Sequence, residues 1–68
     1  MKLYRFLTGP DDSSFCHKVT AALNKGWLLH GGPSYAFDAE TKSMRCGQAV
    51  FKEVDGEDYS SDIKLGDW

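Results

Sequence analysis

Four residues of nucleophilic or metal-binding type, Cys16, His17, His30 and Cys46, offer the chain its most obvious chemistry. Cys16 and His17 adjoin near an expected helix start, where the positive end of the helix favours a thiolate. Two features oppose that use: neighbouring helical side chains project about 100° apart, and Asp11 and Asp12 already bring negative charge to the same end. Cys16 therefore reads as a buried structural thiol. Taken as four ligands, the set lacks the close C-x-x-C or H-x-x-x-H pairs of structural zinc sites, so no metal site is expected. The same two aspartates disfavour a phosphate at the helix start and suit capping instead. Asp38 and Glu40 lack the alternating oxygens and the glycine of a calcium loop and read as a solvated turn. No catalytic residue and no cofactor is assigned.

A second constellation is aromatic. Trp27, His30 and Tyr35, followed by Phe37, offer a platform for a flat ligand, and the first three are the candidate cofactor-binding residues. The competing reading puts Trp27 in the core beside the helix end. Single-stranded nucleic acid is a poor fit, because residues 1–54 carry seven bases against five acids, a net of +2, and residues 55–68 carry five acids against Lys64, a net of −4. The bases form no continuous stripe, so no nucleic-acid partner is expected. The opening MKLYRFLTGP is broken by Arg5 and falls short of a signal-peptide core, and nothing approaches the roughly 20 apolar residues of a membrane span. These features lead to the expectation of a cytoplasmic protein with reduced thiols and no membrane partner.

The elements that must position these residues are short. Lys2–Leu7 reads as a strand that places Leu3, Arg5 and Leu7 on one face and Tyr4 and Phe6 on the other. The run TGPDDSS is a turn and helix-start signal, with the N-cap expected between Asp11 and Ser13. From Ser13 to Lys25 the spacing predicts a helix whose apolar stripe is Phe15, Val19 and Leu23, flanked by Cys16 and Ala22, and Gly26 suits the left-handed residue that ends it. Trp27–Phe37 reads as a second strand, bent or bulged at Gly31-Gly32-Pro33 and confined to a sheet edge by its proline. A polar hairpin loop at 38–43 leads to a third strand, Met44–Val54.

The fold class that follows is α+β: a βαββ unit with a three-stranded antiparallel sheet in the order 1-3-2 and one helix on one face. Residues 1–54 form this single domain, and residues 55–68 form an acidic C-terminal tail. The tail is read either as mobile or as docked, its apolar residues lying on the uncovered sheet face or on a neighbouring subunit. Gln48 is the oddest residue of the third strand: facing the helix it needs buried partners, while facing outward it can bond across a two-fold axis.

The pattern Y-R-F-L-T-G-P-D-D at Tyr4–Asp12, F-C at Phe15-Cys16, A-L-N-x-G-W at Ala22–Trp27 and G-Q-A-V at Gly47–Val50 resembles a family of short bacterial proteins known as a domain of unknown function, number 1737. The resemblance spans residues 4 to 53 and implies a bacterial source and a small α+β domain, with no activity attached. A fold-level likeness also runs to dodecins, which share the element order and bind flavin as oligomers. At 68 residues the chain is short, and such domains bury only about 60% of the unfolded surface. One helix cannot cover both apolar faces of the sheet. The expectation is a non-enzymatic interaction module that associates with itself as a homodimer or higher oligomer through the open sheet face. The alternative is an oligomer that binds a flavin-like small molecule.

Overall fold

Strand β1 (Lys2–Pro10) alternates apolar side chains on both faces and runs three residues past Leu7, because the Gly9-Pro10 segment still pairs in the sheet opposite Cys46 and Arg45. A computed structural model describes all 68 residues. The helix α1 (Ser13–Asn24) starts at Asp12, whose side chain accepts from the Ser14 backbone amide at 2.8 Å. Its end is a glycine cap: Gly26, at φ 95°, donates to the Leu23 carbonyl while Trp27 donates to that of Ala22. Strands β2 (Leu28–Asp38) and β3 (Ser43–Glu53) form the hairpin, and the antiparallel sheet has the order β1-β3-β2 with the helix between its first two strands in sequence. The βαββ architecture is the expected one. The bulge also falls where Gly31-Gly32-Pro33 placed it, between His30 and Ser34.

The helix faces the sheet with Phe15, Val19 and Ala22 rather than with Phe15, Val19 and Leu23. Eight residues of helix overshoot two turns by about 80°, whereas seven fall about 20° short, so Ala22 stays on the stripe and Leu23 turns partly to water. Beneath the stripe lies a small core of Leu3, Leu7, Ala22, Trp27 and Val50. The Trp27 ring is 1% exposed, with the Arg5 guanidinium 5.5 Å from its centroid and its indole N–H unpaired.

Helix width decides what this core can include. An α-helix with its side chains is about 10 Å across, and strands lie about 4.8 Å apart, so one helix shelters two strands. Here those are β1 and β3. Strand β2 is left uncovered on the helix side as well, and Leu29, Tyr35 and Phe37 are exposed there.

Residues 55–68 settle beside the helix, not on the open face. Ile63, Leu65 and Trp68 pack against the core, and a short 3₁₀ turn spans Leu65–Asp67. Two lysines hold this strap. Lys52 Nζ donates to the main-chain oxygens of Lys25 and Trp68, both at 2.6 Å, and Lys25 Nζ donates to that of Gly66 at 2.7 Å. The strap is thus tied to the main-chain ends of the helix and the tail, and the acidic side chains of the tail take no part in these bonds.

Candidate interaction face

The alternation of β1 and β3 sends Leu3, Leu7 and Val50 to the helix and the intervening residues to the other side. Register then assembles rows across the open face: Tyr4, Phe51 and Leu28; Phe6, Ala49 and His30; Thr8, Gly47 and Ser34. Tyr4 is 58% exposed, Phe6 50%, Leu28 56% and Phe51 39%, which makes a continuous apolar surface with no chain of its own over it. The His30 ring meets Phe51 edge-on, with centroids 5.9 Å apart and planes at 90°. The Phe6 ring lies across Gly47, where a Cβ would come within 2.4 Å of Phe6 Cζ. Glycine is therefore required under that ring, and the ring in turn covers backbone that would otherwise be bare.

Two shallow hollows break this surface. One of about 440 Å³ is bounded by Lys2, Leu3, Tyr4, His30 and Phe51. The other, about 300 Å³, is bounded by Phe6, Thr8, Ser34, Ala36, Arg45 and Gly47, together with Tyr35 and Cys46. At the two ends of the central strand stand charges of opposite sign, Arg45 and Glu53, both exposed.

Gln48 points away from this face. It is buried on the helix side, and its Nε2 donates to the carbonyls of His30 at 3.4 Å, Gly31 at 3.2 Å and Ala49 at 2.9 Å. Of the two readings of this residue, the one with buried partners holds, and two of those partners, the His30 and Gly31 carbonyls, lie at the β2 bulge.

On the helix side, near the start of α1, Asp11, Tyr35 and Cys46 form a polar group. The Tyr35 hydroxyl donates to Asp11 Oδ2, and this bond, aided by partial burial, pushes the phenol pKa up to about 12. Partial burial and then the Asp11 charge push the Cys46 thiol up as well, which disfavours a reactive thiolate. The side-chain hydrogen bond from Ser14 holds Asp12 below the usual carboxylate range.

The three aromatic candidates are not brought together: Trp27 is core, His30 lies on the open face and Tyr35 on the opposite one. Cys16, expected to be buried, is exposed, because it sits one residue and about 100° beyond Phe15 on the helix. No group of three or more His, Cys, Asp or Glu side chains is arranged to hold a metal ion, and no helix is long and apolar enough to cross a membrane. Alternation along β1 puts Tyr4 and Phe6 on the face opposite Leu3 and Leu7 without deciding which face is core, and it passes over Phe51 and Leu28. Their signal was the register imposed by the hairpin.

No curated protein and no solved structure matches the chain. The family model described as Domain of unknown function (DUF1737) matches residues 1–53, which hold the whole βαββ unit and every residue of the open face, and the chain belongs to that family.

Proposed function

We propose that this chain is a bacterial, cytoplasmic, non-enzymatic interaction module that associates with itself through the sheet face opposite the helix. The observation that carries this reading is the exposure of Tyr4, Phe6, Leu28 and Phe51 together on one uninterrupted face. Contiguous apolar surface of this kind marks interaction sites on soluble domains. Two further features support it. Only 8 of 68 residues are buried. The radius of gyration is 13.5 Å, against about 11 Å for a compact chain of this length.

The test is a dilution series by sedimentation velocity on the wild-type chain and on Tyr4→Asp, a charge set in the middle of the patch. The wild type is expected to associate at micromolar concentration, and the variant to sediment as a monomer with unchanged far-ultraviolet circular dichroism. A wild-type monomer at several hundred micromolar would end the reading.

A second reading draws on the larger hollow. Its aromatic wall, Tyr4 beside Phe51 with the His30 ring edge-on to Phe51, suits a flat ring, and a flavin-like ligand is the natural probe. Quenching of added flavin fluorescence by the wild-type protein and not by Tyr4→Asp distinguishes it from simple self-association.

A further inference from the structure

Resting on the reading that the open face meets a second copy, the geometry points to how the two copies sit. They pack face to face and antiparallel, with a two-fold axis crossing the central strand at Ala49, so that Glu53 of each copy meets Arg45 of the other.

The basis is the order of residues that β3 presents on this face: Arg45, Gly47, Ala49, Phe51, Glu53. Turned end for end about Ala49, this series complements itself. The acid falls on the base, Phe51 falls on Gly47 with the Phe6 ring seated across it, and the small Ala49 lies over its own copy. The flanking strands follow the same rule. Tyr4 of one copy falls on Thr8 of the other and Leu28 falls on Ser34, while Phe6 and His30, level with the axis, each face their own copy.

The competing two-fold arrangement, with its axis along the strands, puts Glu53 over Glu53 and Arg45 over Arg45. Like charges directly opposed destabilise such a contact and suppress the wrong register. Packed sheets stand about 10 Å apart with strand directions within about 30° of each other, and a crossing that wide carries positions four residues from Ala49 about 7 Å apart sideways, so the register requires the two central strands to cross at a much smaller angle. Side chains on one face of a strand recur about every 6.8 Å, and a slip by a single pair moves both acids off their bases. The result is an apolar middle closed at each end by an ion pair, the usual anatomy of a protein interface.

The experiment is a charge swap on the full chain, read by sedimentation velocity. Arg45→Glu and Glu53→Arg should each weaken self-association by about tenfold or more, since each variant opposes like charges at both ends. An equimolar mixture of the two variants should associate as tightly as the wild type, because each mixed dimer regains two opposite pairs. The double variant Arg45→Glu/Glu53→Arg should also recover to within about threefold. Arg45→Gln and Glu53→Gln, milder changes that serve if a reversal disturbs folding, should each weaken association and recover in part on mixing, since a mixed dimer regains one Arg45–Glu53 pair. A mixture no tighter than either variant alone overturns the antiparallel register while leaving self-association standing. A wild type that never associates overturns the underlying reading itself.

Discussion

Strands β1 and β2 flank the same central strand, both carry apolar side chains on both faces, and they differ almost completely in burial. On β1 the helix-side residues Leu3 and Leu7 are core, whereas at the matching side of β2 Leu29 is 52% exposed, Tyr35 59% and Phe37 63%. Hydrophobic content does not explain this difference; the width of one helix does. A lid about 10 Å across, 12 residues and so about 18 Å long, covers two strands and about half the length of an 11-residue hairpin. A three-stranded sheet with a single helix therefore keeps one strand bare on both sides, whatever its sequence.

The contrast can be broken directly. Leu7→Ala should cost about 2–5 kcal/mol in chemical denaturation at a concentration where the chain is dissociated, while Leu29→Ala should stay within about 0.5 kcal/mol. Equal losses would show β2 to be sheltered after all. Next in size is Gln48→Leu, which removes the donor that the His30 and Gly31 carbonyls share. A loss of about 1–2 kcal/mol is expected, with faster amide exchange confined to the β2 bulge, and uniform exchange would show that Gln48 does not staple that strand. The smallest effect concerns the one polar tie between β2 and the helix start. In Asp11→Asn the Tyr35 phenol should titrate back towards its ordinary 10.0 from about 12, read by ultraviolet absorbance. Folding favours the neutral phenol, so the stability it lends is complete below pH 10.0 and fades as pH rises through about 12.

Much of this fold was legible because its signals are local. Asp12, Gly26 and the Gly31-Gly32-Pro33 run act through backbone chemistry that needs no tertiary partner, and each did what its residue type dictates. Strand order followed from a short hairpin and an edge proline. Misread positions depended on rotation and on competition for one surface. Cys16 and Leu23 each lie one helical step, about 100°, from Phe15 and Ala22, and it is this rotation that turns them towards water. For the last 14 residues the sequence leaves open a mobile tail or one docked on the open face or a neighbouring subunit, and in this structure Ile63, Leu65 and Trp68 pack against the core. Their acidic composition drew attention away from Ile63, Leu65 and Trp68, and from the lysine amines that grip main-chain oxygens there. The open face was half legible: alternation separates Tyr4 and Phe6 from Leu3 and Leu7, but only cross-strand register adds Phe51 and Leu28.

The Phe6 ring, seated on Gly47, is half exposed and lies outside the buried core, on the face turned away from the helix. A single methyl group grafted beneath it would tilt the plateau into a knob. Position 47 thus sets how high the Phe6 ring stands on the face that a second copy would meet.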